Sequence, residues 1–137
     1  MTLNWATVQV GDALPAREVG PISRLVLALY AGGSGDHNPM HVDSDFAKQG
    51  GMSDVFAHGM LSMAYLAQSL TTQFRSEQIR SYSVRFVSIT PVNALITCKG
   101  SIAEKFQAEG EQRLRLQLQA ITDSGIVTLQ GDAVVAI

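Results

Sequence analysis

His58-Gly59-Met60-Leu61-Ser62-Met63-Ala64-Tyr65-Leu66-Ala67-Gln68-Ser69-Leu70 is the stretch on which the fold turns. Met60, Leu61, Met63, Ala64, Leu66, Ala67 and Leu70 recur at helical spacing and cover most of a helix circumference. A helix apolar almost all round is a buried one. The stretch therefore predicts a buried helix from Met60 to about Phe74, opened by His58-Gly59. From about residue 78 the period switches from 3.6 to 2. Tyr82, Val84 and Phe86 alternate with Ser81, Ser83 and Arg85. Leu95 to Ile102 reads as a second strand. Leu114, Leu116 and Leu118 alternate with Arg113, Arg115, Gln117 and Gln119, the pattern of a strand with one face in a core. Asp123-Ser124-Gly125 reads as a turn, and Ile126 to Ile137 as a closing strand. Helix first and antiparallel strands after predicts an α+β domain, one buried helix lying on a curved sheet.

Working toward the N-terminus, residues 31–59 are rich in turn formers, and Gly50-Gly51 follows a short helical segment at Asp45–Gln49. Further upstream, Ser23 is placed to cap a helix with Leu25, Val26, Leu29 and Tyr30 on one face, ended by Gly32, Gly33 and Gly35. Residues 1 to about 20 read as extended and loop-rich. There is no internal repeat, low-complexity tract or linker, so residues 1–137 read as a single domain.

Composition narrows the function classes. The 137 residues are 46% hydrophobic and 16% charged, a balance that argues against disorder. A net charge of −2 and the lack of any Lys/Arg run exclude a strongly basic nucleic-acid binder. Cys98 is the one cysteine, so neither an internal disulfide nor a cysteine metal site is available. Its apolar strand marks it as a core residue. Met1-Thr2-Leu3-Asn4-Trp5 lacks the basic start and apolar run of a signal peptide. The run Met60 to Leu70 falls short of the ~20 apolar residues that cross a bilayer. The expectation is a cytoplasmic protein with no membrane or nucleic-acid partner.

The chemistry concentrates in the turn-rich zone. His37, His41 and His58 all fall within it, and Asp36 precedes His41 by five residues with Pro39 between them. Pro39 disfavours helical geometry at Asn38, so the segment turns. A turn brings a carboxylate and an imidazole five apart to one point, a pair suited to general acid–base work. The same residues also spell an Asx-type turn, with Asp36 and Asn38 bonding nearby backbone and His41 exposed. His58-Gly59 heads the buried helix, where free N–H groups favour a carbonyl oxygen gaining negative charge. The plainer reading there is a helix start with Gly59 as cap. No metal is expected, since Pro39 interrupts the i, i+4 pair His37 and His41. Gly-x-Ser-x-Gly and a phosphate loop are both absent. Arg80 and Arg85 read as solvated strand residues or as partners for an anionic ligand.

Tyr30-Ala31-Gly32-Gly33-Ser34-Gly35-Asp36-His37-Asn38-Pro39-Met40-His41-Val42-Asp43, continuing to Ala47, resembles the motif of the MaoC-like (R)-specific enoyl-CoA hydratases and dehydratases. Ala57-His58-Gly59-Met60-Leu61-Ser62 and Val84-Arg85-Phe86 with Pro91-Val92 are similar to that family's following helix start and strand. The likeness covers roughly residues 6–137 and is especially close to mycobacterial fatty-acid-elongation dehydratase subunits. Ser44 and Asn93-Ala94 depart from it, where proline and Gly-Asp are frequent.

The resemblance implies a hot-dog fold, a long helix wrapped by an antiparallel sheet. It implies that Asp36 and His41 activate a water that adds to C3 of a trans-2-enoyl thioester. The Gly59 N–H would hold the thioester carbonyl, while Asn38 and Pro39 shape the turn. No metal or redox cofactor is implied, and the substrate arrives as a CoA or acyl-carrier-protein thioester. The competing readings are a hot-dog acyl-thioesterase and a non-catalytic subunit of a heterodimeric dehydratase. One open sheet edge and one apolar helix flank predict a dimer, of identical or related subunits, with a continuous sheet. Met52, Val55, Phe56 and Met63 are the expected acyl-pocket residues near the helix start.

Overall fold

The computed structural model describes residues 3–137; Met1 and Thr2, the first two residues of the start read for a leader, lie outside them. A short strand, β1 (Arg17–Val19), precedes helices α1 (Arg24–Ser34), α2 (Ser44–Gln49) and α3 (Gly59–Thr71). Strands β2 (Ile79–Phe86), β3 (Ile96–Ala108), β4 (Glu111–Thr122) and β5 (Val127–Ala136) follow. All five strands form one antiparallel sheet in the order β1-β3-β4-β5-β2. The α+β arrangement read from the sequence is present, with α3 packed against β3, β4 and β2 as in a hot dog.

The core lies between that helix and the sheet. Leu61, Leu66 and Leu70 of α3 meet a floor that includes Leu114, Leu116 and Leu118, the alternating leucines of β4, all buried. Each fully buried leucine contributes about 1.5–3 kcal/mol. Cys98 is buried in the same floor. The Tyr82 hydroxyl of β2 donates to the Met63 carbonyl of α3 at 2.7 Å, tying the helix to the edge strand.

Three expectations need correcting. First, α3 is not buried all round: Met60 is 57% exposed, and Ala64, Gln68 and Thr71 share its open strip. The buried arc instead includes two serines. The Ser62 hydroxyl lies 3.2 Å from that of Thr90, and Ser69 donates to the Leu66 carbonyl at 2.6 Å, so both polar groups are satisfied within the fold. Second, Ser23 caps α1 as expected, its Oγ accepting from the Val26 N–H at 3.2 Å, but the contact face differs. Leu27 and Ala31 are buried, while Leu25 and Leu29 are each 67% exposed. Apolar residues run most of the way around α1, and only the half centred on Leu27 meets the core. Third, β3 continues to Ala108. The β3–β4 register shifts between Ile102 and Glu104, and such a bulge breaks the two-residue period that the sequence reading depends on.

Gly131 of β5 sits where no side chain fits. A Cβ there would lie 2.5 Å from the Ser83 carbonyl oxygen and 2.9 Å from the Val84 Cγ1 of β2. The neighbour is ladder backbone, which cannot yield without loosening the edge strand. Gly131→Ala is expected to destabilise the fold by about 1–3 kcal/mol. A lowered urea midpoint is the expected result; an unchanged one contradicts the close approach. No helix among the described residues is long and apolar enough to cross a membrane.

Candidate active site

The site is built where the turn-rich segment folds against the head of α3. Gly35 closes α1 in the left-handed region (φ 77°), its N–H donating to the Ala31 carbonyl at 3.1 Å. That conformation costs glycine little and reverses the chain. A series of small bonds then shapes the turn. Ser34 Oγ accepts from the Asp36 N–H at 3.1 Å, Asp36 Oδ1 from the Asn38 N–H at 3.2 Å, and Asn38 Oδ1 from the Met40 N–H at 3.1 Å. Asn38 caps a 3-10 turn, Pro39–His41, with Pro39 in its first turn. Asp43 then caps α2, accepting from the N–H groups of Asp45 and Phe46. Ser44, one departure from the family pattern, simply begins that helix. Asn93, the other, takes φ 64°, a value asparagine tolerates better than most residues.

The Asx turn expected at Asp36 and Asn38 is therefore present, but the exposed His41 that went with it is not. His41 is 7% exposed. Its Nδ1 lies 2.7 Å from the Phe56 carbonyl oxygen, and the Phe56 ring meets its edge at 5.0 Å. A carbonyl oxygen only accepts, so Nδ1 carries the hydrogen and the neutral ring keeps its lone pair on Nε2. His37 is exposed and stands outside this cluster.

His58, not Gly59, is the cap residue of α3, and Gly59 is its first helical residue. The His58 ring stacks on His41 with centroids 3.9 Å apart and planes inclined by 27°. One ligating atom each from Asp36, His41 and His58 falls within 4.8 Å of the others. Stacked imidazoles hold their nitrogens in near-parallel planes rather than aiming them at one centre, a poor ligand geometry for a metal. Burial pushes the His58 pKa down; its contact with the Asp36 carbonyl opposes that, and the nearby His41 adds to it.

A cavity of about 340 Å³ opens beside the head of α3, lined by Phe56, Ala57, Gly59, Ser62, Phe86, Val87, Ser88, Ile89, Thr90 and Leu129. Of the four expected pocket residues, Phe56 lines it. Val55 is buried in the main core, Met52 packs against that core, and Met63 lies half-buried on α3. A Cβ on Gly59 would lie 2.9 Å from Cε1 of the Phe86 ring, so the bare glycine backbone faces this cavity. Its N–H, in the first helical turn, has no intrahelical acceptor. A larger hollow of about 490 Å³ lies on the outer sheet face among Arg85, Arg115, Gln117 and Asp132, and no histidine lines it. Arg80 pairs with Glu111 at 2.6 Å, whereas Arg85 is exposed.

The sequence brought Asp36, His41 and Gly59 into view but not the His58 side chain, nor Phe86, Ser62 and Thr90 as cavity walls. The clustering of three histidines in one loop zone was the available signal for His58. For the cavity walls there was none, because β2 and α3 meet through tertiary contact.

Comparison with known proteins places these features in context. The family model described as "MaoC like domain" matches residues 6–123. The chain is 31% identical over 107 residues to the fatty acid synthase beta subunit TOXC of Cochliobolus carbonum, covering 76% of this chain and 5% of that protein. It is 38% identical over 72 residues to 3-hydroxyacyl-thioester dehydratase X of Mycobacterium tuberculosis, covering 53% of this chain and 25% of that protein. Among solved structures, the unliganded R-hydratase PhaJ1 from Pseudomonas aeruginosa superposes with a TM-score of 0.82 at 25% identity. That alignment covers 96% of this chain and 83% of the other.

Proposed function

The chain belongs to the MaoC-like domain family, and from that premise we propose that it hydrates trans-2-enoyl thioesters to (R)-3-hydroxyacyl thioesters and catalyses the reverse dehydration. The observation that carries this reading is the His41 ring, held through Nδ1 on the Phe56 carbonyl, with Asp36 close by at the head of α3. A fold alone hosts many activities, so the residues of the site carry the argument. Its relatives' names, an R-hydratase and a 3-hydroxyacyl-thioester dehydratase, agree with it.

In the proposed reaction, the acyl thioester lies in the cavity beside Gly59, with its carbonyl oxygen on the Gly59 N–H. Water sits between Asp36 and His41. The water oxygen bonds to C3 as the C2–C3 double bond opens. The pair removes one proton from the water and returns one to C2 on the same face, ending in its starting protonation state. Negative charge builds on the thioester oxygen during addition, and the helix N-terminus stabilises it. The thioester carbonyl itself is the electron sink, so the step as written uses no metal or redox cofactor. The carrier is CoA or acyl carrier protein.

The assembly that goes with this site is a dimer, of two copies or of this chain with a related subunit. β2 is a sheet edge, and exposed Met60, Phe86, Val87 and Ile89 adjoin it. An unpaired edge beside apolar surface favours pairing with another chain. A cytoplasmic setting suits the lone, buried Cys98.

The direct test is to mix the protein with crotonyl-CoA and longer enoyl-CoAs and follow the enoyl absorbance. Enzyme-dependent loss on at least one chain length is expected. No loss on any of them contradicts the reading.

A further inference from the structure

The proposed reaction leaves the buried imidazole of His58 unused. His58 is 1% exposed, stacked on His41 and met edge-on by Tyr30 at 4.7 Å between ring centroids. Its Nε2 lies 3.2 Å from the carbonyl oxygen of Asp36. Its Nδ1 is buried and has no hydrogen-bond partner among the described residues. The carbonyl can only accept, so Nε2 carries the hydrogen and Nδ1 is left as an unpaired acceptor. A buried unpaired acceptor destabilises a fold, and an apolar ring would fill the same space without one. What histidine supplies at this position is a single N–H, and that N–H goes to the main chain of Asp36.

We infer that His58 is a positioning residue for the Asp36–His41 pair: its Nε2–H fixes the Asp36 main chain, and its neutral ring backs His41. This inference rests on the hydration reading above. Asp36 is exposed, in a turn whose other bonds at residues 34–38 are local to the turn and to α1. The bond from His58 joins residue 36 to α3, the helix whose first N–H receives the substrate carbonyl. It thereby sets the carboxylate against the thioester, and small displacements of a reacting group are expensive in rate.

Two substitutions separate the parts of this role. His58→Phe keeps a ring against His41 and removes the donor. His58→Gln keeps a donor of similar reach and removes the ring. The folded His58→Phe protein is expected to lose ~10–100-fold in kcat, with KM changed by less than about threefold. Its urea midpoint should not fall, because the unpaired Nδ1 is gone. His58→Gln is expected to recover most of the lost kcat. Wild-type kcat in folded His58→Phe overturns the inference, and so does an equal loss in both variants. The tautomer is read without substrate, from long-range nitrogen–proton NMR couplings of the imidazoles in the labelled wild-type protein. A neutral Nε2–H ring at neutral pH is expected for His58; an Nδ1–H or charged ring overturns the inference whether or not the variants fold. A wild-type protein that hydrates no enoyl thioester would instead overturn the reaction reading, so the two failures are distinct.

Discussion

Asp36→Asn is expected to lower kcat by ~10²–10⁴-fold, equivalent to about 3–5 kcal/mol in the barrier. The amide preserves the size of the side chain and its Oδ1 contact to the Asn38 N–H, 3.2 Å in the native protein, so the turn should persist. What disappears is the negative charge that orients the water and accepts its proton. His41→Ala should cost a similar factor. Because both groups act on one water, their losses should not add, and the double variant should lie near the worse single. His37→Ala should cost far less, since His37 is exposed outside the cluster. The three are not alike in stability. Asp36 and His37 are exposed in the turn, whereas His41 is buried between Phe56 and His58. His41→Ala leaves a void there, so its unfolding midpoint must be measured beside its kinetics. Steady-state rates on one enoyl-CoA decide the matter. Asp36→Asn with most of its activity, or His37→Ala more damaging than His41→Ala, would show the roles to be assigned wrongly.

Gly59→Pro should be nearly as damaging, by removing one hydrogen atom's worth of chemistry. Gly59 is the first residue of α3, a position where proline is well tolerated because its N–H makes no intrahelical bond. His58 already has φ −57° and ψ 132°, the extended geometry that a residue before proline prefers. The helix should therefore persist while the proposed oxyanion donor is lost. A loss of ~10²–10³-fold in kcat is the expectation for one such donor. Gly59→Ala is the control. It places the same Cβ against the Phe86 ring, 2.9 Å away before adjustment, but keeps the N–H. Proline should cost much more than alanine. Equal activities in the two variants would remove Gly59 N–H from the mechanism.

The sequence showed most clearly those features whose chemistry is local. The leucines of β4 alternate because one face of a strand meets the core, and that pattern needs no knowledge of the neighbour. The turn at Asp36–His41 was similarly open to reading, since Gly35, Asn38 and Pro39 each carry their conformational preference with them. Features set by contact between distant segments were hidden. Periodicity marks Met60 and Leu29 as apolar but cannot say that no neighbour in the chain covers them. The bulge near Ala103 erased the alternation that would have extended β3 to Ala108. The role of the His58 ring is hidden in the same way, because only the folded chain brings its imidazole onto His41. The cavity walls from β2 and its following loop were hidden for the same reason. Met52, Val55 and Met63 lie near the helix start in sequence, whereas Phe86 and Ile89 reach it only through the sheet.

The most direct test of the account is to run the reaction on crotonyl-CoA in ¹⁸O-labelled water and analyse the product by mass and by chirality. The account predicts (R)-3-hydroxybutyryl-CoA with the label on C3 and the thioester intact, formed by the wild-type chain and at least ~10²-fold more slowly by Asp36→Asn. Free CoA with the label in a released carboxylate, or the (S) product, would contradict it.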